Sequence, residues 1–505
     1  MSANIYELIR GRAPSLDKPA MVAGEHSLTF GQLFARSAQA ANAMFEFGVQ
    51  PGDRVAVQID KSPDAIVLAL AAFRAGAALL PLNTAYTLAE LEYFLDDAKP
   101  TLTICRPVML AAVRALADRL AVGKVHSLGV ARDGDFAEAM LRAPSEFDTV
   151  PRASDDLAAI LYTSGTTGRS KGAMLSHENL SSNALTLVEA WRFTPDDVLI
   201  HALPVFHTHG LFVATNVALL AGATMIFQPR FDADAIVAAL PRATSLMGVP
   251  TFYVRLLAHE GVTRETTKRM RLFVSGSAPL LAETHEAWRV KTGHSILERY
   301  GMTETNMITS NPYDGDRIAG TVGFPLPGVL LRIADPQTGR ALAQGEIGVI
   351  EVKGPNVFKG YWRMPEKTAE EFRPDGFFIT GDLGEIDELG YVHIVGRAKD
   401  LIISGGFNVY PKEIEAEIDA LPGVVESAVI GLPHPDFGEG VTAIVVPDAG
   451  AALEEADILA ALEGRLAKYK LPKRVFFVSE LPRNAMGKVQ KKALREARSG
   501  VYGGG

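Results

Sequence analysis

Residues 162 to 172 read Tyr162-Thr163-Ser164-Gly165-Thr166-Thr167-Gly168-Arg169-Ser170-Lys171-Gly172, a combination suited to holding a polyphosphate. Glycines let the backbone bend sharply and bring its N–H groups close to an anion. The Ser and Thr hydroxyls add neutral donors, and Lys171 adds one mobile positive charge. The spacing Gly-x-x-Gly-x-x-Lys-Gly differs from the Walker A pattern and from the dinucleotide fingerprint. A plain Gly/Ser/Thr linker would be flexible and would have no need of a lysine at a strand end. The preceding apolar run Leu157-Ala158-Ala159-Ile160-Leu161 reads as that strand, and open α/β sheets place ligands at strand ends.

Four further segments carry chemistry. Tyr300-Gly301-Met302-Thr303-Glu304 offers a ring to stack on a base, a hydroxyl for a phosphate and a carboxylate oxygen for Mg2+. Thr380-Gly381-Asp382 places a carboxylate after a glycine turn, where it can accept from both hydroxyls of a ribose; a β-turn with Asp in a favoured position is the plainer reading. Gly396-Arg397-Ala398-Lys399-Asp400 is a compact charged turn between apolar strands. Pro482-Arg483-Asn484-Ala485-Met486-Gly487-Lys488 lies in a basic stretch: Lys468 to Arg498 contains ten Lys/Arg and two Glu. Set in a chain of net charge −9, that asymmetry points to phosphate handling rather than to a general nucleic-acid surface.

In this order the segments resemble the signatures of the acyl-adenylate-forming enzymes: acyl-CoA synthetases, luciferases and peptide-synthetase adenylation domains. That family often has Pro before the loop lysine, where Ser170 stands here; a proline would only stiffen the loop. The resemblance implies a large N-terminal domain of α/β sheets with a small β subdomain (residues 1–398) and a small mobile α+β lid (399–505). It implies ATP, Mg2+ and coenzyme A as co-substrates and cofactor. Thr163, Ser164, Gly165, Thr166, Thr167, Gly168 and Lys171 would cradle the phosphates. Ser277 and Ala278, in Ser275-Gly276-Ser277-Ala278-Pro279, would edge the adenine, with Tyr300, Gly301, Met302 and Thr303 beside it. Asp382 and Arg397 would take the ribose, while Glu304 and Thr163 would hold the metal. Lys488 would be the lid's catalytic lysine, acting with Glu304 and Lys171, and Lys399 the hinge. Ser404, Gly405 and Gly406 would serve the thioester step after the lid turns. The pattern around Lys488 also resembles sites of regulatory acetylation, which implies a lysine acetyltransferase and deacetylase as partners.

Such enzymes activate a carboxylate by transfer to the α-phosphate of ATP, and a thiol then attacks the acyl-AMP. Within its 505 residues the chain has no carrier domain after Lys488, so the expected thiol is free CoA. Two arginines are unusual for a fatty-acyl pocket. Arg255 follows the Pro250-Thr251 helix start, and Arg299 precedes Tyr300, where the family often has Gly. A second substrate carboxylate would want such a guanidinium. These segments resemble the malonyl-CoA synthetases, which implies malonate or methylmalonate as the acid, with His207 narrowing the pocket beside His209. A short- or medium-chain fatty-acid CoA ligase is the alternative, and a non-catalytic AMP-binding relative is a third reading.

The supporting elements follow from length and pattern. A chain of 505 residues exceeds one core and implies at least two domains. Strand-like and helix-like runs alternate up to about residue 390, which predicts mostly parallel α/β sheets. Asp64 to Ala75, Glu413 to Leu421 and Asp457 to Tyr469 read as helices. Gly345 to Val352 and Gly390 to Val395 read as a small barrel-like β unit. The single cysteine, Cys105, excludes internal disulfides and reads as core packing. The N-terminus has no apolar signal core, and the run Ala65 to Leu82 is interrupted by Arg74, Gly76 and Pro81. A cytoplasmic protein without stable membrane insertion is therefore expected.

Overall fold

The alternating runs assemble into four sheets. A computed structural model describes residues 3–163, 170–405, 407–463, 465–484 and 487–502. Ser164, Gly165, Thr166, Thr167, Gly168 and Gly406 lie outside the described residues. In the first sheet the strands run in the order Lys124–Ser127, Leu102–Cys105, Arg54–Gln58, Ala78–Pro81, Leu157–Thr163 and Lys171–Ser176. All its pairs are parallel except the last, which joins the two arms of the loop at 162–172. The second sheet has nine strands; its central run, from Leu297–Met302 through Leu272–Ser275, Ser245–Gly248, Val198–His201 and Thr224–Phe227 to Pro19–Ala23, is parallel. Parallel strands are covered on both faces, which explains their continuous apolar sequences.

Helix Pro63–Arg74 sits among these sheets with nearly every residue buried. Pro63 at its first turn supplies a preset φ without losing a needed N–H. Its two buried charges have partners: Asp64 pairs with Arg36, and Arg74 donates to the Phe34 carbonyl at 2.9 Å and the Phe147 carbonyl at 2.6 Å. Cys105 is fully buried at a strand end, and burial pushes its thiol up to about 11, so it packs rather than reacts.

The small β unit is an open antiparallel sheet in the order Leu330–Ala334, Gly348–Lys353, Phe378–Ile386 and Val392–Arg397. Its first and last strands are not paired to each other, so it is not a closed barrel. The 3-10 turn Ala398–Asp400 follows directly, with Lys399 exposed. Beyond it a five-stranded sheet begins at Ile402–Ser404 and is dominated by the long hairpin Val424–His434 with Gly438–Pro447. Helix Pro411–Asp419 buries Ile414 and Ile418 on one face against this sheet. The helix expected over 457–469 is shorter, Glu455–Leu462, because Glu463 turns to an extended conformation at φ −61, ψ 130. Gly464 follows in the sequence, and glycine is a poor helix former.

The last sheet has its own core, built on Ile402, Val409, Ile414, Ile418, Val441 and Val445. Ile414→Ala should therefore cost that unit about 2–5 kcal/mol. The expected denaturation profile has two transitions with only the smaller one shifted. One shared transition moving as a whole would mean that the sheets unfold together.

Candidate active site

The two strands Leu157–Thr163 and Lys171–Ser176 pair in register, Thr163 opposite Lys171. This fixes Lys171 directly across from Thr163. The helix His177–Ala190 anchors the far end through a capping box between Ser176 and Asn179. Lys171 Nζ lies 3.3 Å from Glu371 Oε1 and 4.0 Å from the centre of the Tyr361 ring. The Tyr361 hydroxyl donates to Glu304 Oε1 at 3.0 Å. Glu304 is 5% exposed, and burial pushes its carboxyl up, opposed by that hydrogen bond and by Lys171 and Lys488. A buried carboxylate held this way is short of positive charge. It is a hard oxygen donor of the kind Mg2+ prefers, and the Thr163 hydroxyl is a second such oxygen. No three His, Cys, Asp or Glu side chains among the described residues form a metal site alone, so phosphate oxygens and water would have to complete the shell.

Asp382 follows Gly381, whose φ of +73° suits glycine. Its carboxylate accepts from the Tyr300 hydroxyl at 2.6 Å on one oxygen and pairs with Arg397 Nε at 3.0 Å on the other. Asp382 and Arg397 face each other across adjacent antiparallel strands, so the pair is set by register. Gly301 approaches the backbone so closely that a Cβ there would meet the Asn306 carbonyl oxygen at 2.1 Å. Met302 and Thr303 are half-buried beside it. Ser277 adopts φ +73°, rare for a residue with a side chain, and its hydroxyl lies 3.2 Å from His209 Nδ1; Ala278 is half-buried next to it.

Arg299 ends up deep beneath this loop. It is 3% exposed, and its guanidinium lies across Gly276, where a Cβ would meet Arg299 Cζ at 2.4 Å. Its Nε and Nη2 find no hydrogen-bond partner among the described residues. Thr208 Oγ1 and His209 Nε2 are likewise buried without partners. Burial pushes Arg299 down to about 9. Burial, with Lys488 and Arg299 nearby, pushes the His207 imidazole down to about 3, so it is neutral at neutral pH. Arg255 is placed differently. It is exposed on helix Pro250–Leu257, with its guanidinium 5.6 Å from the centre of the Phe231 ring. It stands one turn beyond Thr251, on the same helix face.

The last sheet brings the final group. Asn484 and Lys488 exchange hydrogen bonds, Asn484 N–H to the Lys488 carbonyl and Lys488 N–H to Asn484 Oδ1, both at 3.0 Å. Gly487, between them, lies against Thr251: a Cβ on it would stand 3.7 Å from Thr251 Cγ2. Burial holds the Lys488 ammonium below its usual range, as does Arg397, while Asp382 and Glu304 act the other way. Lys171, Glu304, Asp382, Arg397 and Lys488 thus converge. Ser404 and Gly405 lie at the far end of the same unit, on the turn between Ile402–Ser404 and Phe407–Val409.

Sequence reasoning missed Tyr361, Glu371 and Thr251, single residues with no local pattern. It also missed Glu298, which is buried, accepts from Leu280 N–H at 3.2 Å and is pushed up to about 7 by burial, with Lys412 opposing. The arrangement offers cations at two points for a polyphosphate, a fixed acceptor for a ribose and buried, unpartnered polar atoms on Arg299, Thr208 and His209.

Residues 10–362 match the model of the AMP-binding enzyme family, and residues 413–488 match that of the AMP-binding enzyme C-terminal domain. MatB from Rhodopseudomonas palustris, solved with ATP bound, is 61% identical and superposes with a TM-score of 0.98, covering 99% of this chain and 100% of that one. Its apo form superposes with a TM-score of 0.87 over the same shares. A feruloyl-CoA synthase from Amycolatopsis is 37% identical over 94% of both chains. A malonate–CoA ligase from Arabidopsis thaliana is 34% identical over 96% of this chain and 86% of its own length.

Asp382→Ala would leave Tyr300 and Arg397 without their shared acceptor. Loss of such a charged partner typically costs about 1.5–3 kcal/mol, or roughly 10- to 150-fold in affinity. Titration calorimetry with ATP should show that weakening, with the fold intact by circular dichroism.

Proposed function

The chain belongs to the AMP-binding enzyme family, and on that premise we infer that it is an AMP-forming acid–thiol ligase that joins malonate or methylmalonate to CoA. One observation carries the choice of acid: the buried Arg299, with open donors, beside the unpartnered Thr208 and His209. A hydrocarbon tail placed there would leave a buried cation unpaired, which is costly. A second carboxylate supplies both the charge and the acceptors it lacks. The fatty-acid ligase reading has no comparable feature, and the non-catalytic reading leaves Lys171, Glu304, Asp382, Arg397 and Lys488 without a task.

In the first half-reaction the substrate carboxylate attacks the α-phosphorus of ATP. The bond to the bridging oxygen breaks, and pyrophosphate departs. Lys488, already in the field of Asp382 and Glu304, meets the charge that builds on the α-phosphoryl oxygens. Lys171 holds the departing phosphates, and the loop residues Ser164 to Gly168 add their donors. Ser277, Ala278, Tyr300, Gly301, Met302 and Thr303 form the nucleotide wall, and Asp382 with Arg397 takes the ribose. Glu304 and Thr163 are the residues that would hold Mg2+, which would supply positive charge against the phosphates. Neutral His207 closes the pocket without competing for the acid's charge. Arg255, exposed on its helix, is proposed to assist Arg299.

In the second half-reaction the CoA thiol attacks the acyl carbonyl and the bond to AMP breaks. We place the domain limit at 398/399 and the pivot at Lys399. Turning of the lid withdraws Lys488 and brings Ser404, Gly405 and Gly406 forward. The docked position of Lys488 fits the adenylating arrangement, as does the higher TM-score with the ATP-bound relative. Acetylation of Lys488 would remove its charge and stop this step, so a lysine acetyltransferase and deacetylase are proposed as regulators. No helix among the described residues is long and apolar enough to cross a membrane, and a cytoplasmic setting is proposed.

Pyrophosphate release should be fast with malonate and methylmalonate and slow with acetate and octanoate, CoA being present throughout. Arg299→Ala should cut kcat/KM for malonate roughly 10- to 150-fold while leaving butyrate nearly unchanged. Equal losses on both acids would sink the dicarboxylate assignment.

The pH dependence follows from the same residue. Burial pushes the Arg299 guanidinium down to about 9 in the free enzyme, so kcat/KM for malonate should fall as pH rises toward that value. Lys488 deprotonation would depress both acids together, so the ratio of malonate to butyrate isolates Arg299.

Lys488→Ala should slow adenylation by roughly 10²–10³ and leave thioester formation from supplied acyl-AMP much less affected. Isotope exchange between pyrophosphate and ATP reads the first step alone.

A further inference from the structure

Behind the loop that carries His207 lies a cavity of about 310 Å³. Val205, Phe206 and Leu211 form one wall and Lys61 another. Lys61 Nζ donates to the His201 carbonyl at 2.7 Å, stands 3.0 Å from His201 Nδ1 and lies 4.4 Å from the centre of the Phe227 ring. None of the site residues described above explains this arrangement.

The contacts fix the state of His201. The Gly210 carbonyl 2.9 Å from His201 Nε2 can only accept, so Nε2 carries the ring hydrogen, with Thr215 Oγ1 at 3.1 Å. Burial keeps the imidazole neutral, which leaves Nδ1 to accept from Lys61. Thr215 Oγ1 donates to the same carbonyl at 2.8 Å. Gly210 and Thr215 both belong to the π-helical segment His209–Thr215, a rare geometry that recurs at functional sites. Gly210 is pressed so close to the preceding turn that a Cβ would meet the Pro204 carbonyl oxygen at 2.0 Å. Immediately before it, His209 N–H donates to His207 Nδ1 at 3.2 Å and Leu211 N–H to the His207 carbonyl at 2.9 Å.

A chain of contacts therefore runs from Lys61 through His201 to Gly210, and from there into the wall opposite Arg299. We propose that Lys61 and His201 are positioning residues that hold the π-helical segment, and through it set His207, Thr208 and His209 at the width a short dicarboxylate needs. Neither touches the acid or the nucleotide. The proposal rests on the acid pocket assigned above. Its effect should be largest in that pocket, because the phosphate loop, Asp382 and Lys488 are carried by other elements and the nucleotide wall is reached only through the Ser277 hydroxyl, 3.2 Å from His209 Nδ1.

Lys61→Met keeps the length of the side chain and removes its protons. A displaced pocket wall should raise KM for malonate roughly 10- to 100-fold, with KM for ATP and the melting temperature little changed. His201→Gln, which retains a donor and an acceptor, should be milder than His201→Leu. Equal rises in KM for malonate and ATP, or a loss of kcat on every acid together with a fallen melting temperature, would overturn the proposal in favour of a general structural role. A rise confined to KM for CoA would also overturn it, by giving the cavity to the thiol. If Lys61→Met does not fold, the comparison of His201→Gln with His201→Leu decides. Should the wild type prefer a monocarboxylate, the assigned acid fails, and the same KM comparison on that acid still tests the positioning role.

Discussion

The site gathers four cations, of which Lys171 and Arg397 are paired with Glu371 and Asp382 while Arg299 keeps open donors among the described residues. Arg299, Lys171, Arg397 and Lys488 converge on one cleft, where Glu304, Asp382 and Glu371 are the facing carboxylates. Removing such cations from water is costly unless partners are waiting. On the proposed function, the missing partners are the phosphates of ATP and the second carboxylate of the acid. The protein thus holds its donors in place before the ligands arrive, and folding has already met the cost of ordering them. Arg299 is the clearest case, being buried and depressed to about 9, with two nitrogens open.

Each of these groups is held by an element that could not easily place it elsewhere. Lys171 is fixed by antiparallel pairing with Thr163, and Asp382 by pairing with Arg397. Glu304 is clamped by Tyr361, whose own ring lies under Lys171. Gly276 and Gly301 permit approaches that any side chain would block. The last sheet delivers Lys488 on a loop tied by Asn484 and seated on Thr251. The last sheet keeps a core of its own.

Much of this was legible from local sequence. The strand at 157–161 and the helices read over Asp64 to Ala75 and Glu413 to Leu421 follow from apolar patterning, and the helix after Pro250 from proline at a helix start. The helix after Glu454 ended early because a propensity pattern does not reveal where the backbone turns out. The small β unit was seen as strands but not as an open sheet, since closure depends on which edges meet.

The sequence by itself determined the types and order of the reactive groups. Lys171, Glu304, Asp382, Arg397 and Lys488 each sit in a short segment whose glycines and flanking residues state the local geometry. It also put Arg255 and Arg299 forward together, with nothing to separate them. Tertiary structure separated them, burying Arg299 across Gly276 and leaving Arg255 exposed one turn beyond Thr251. It alone supplied Tyr361, Glu371, Lys61 and His201, whose partners lie far away in the chain. The physical reason is the same throughout. Backbone preference acts over a few residues, whereas burial and charge compensation act across space, and a lone side chain carries no mark of who will stand beside it.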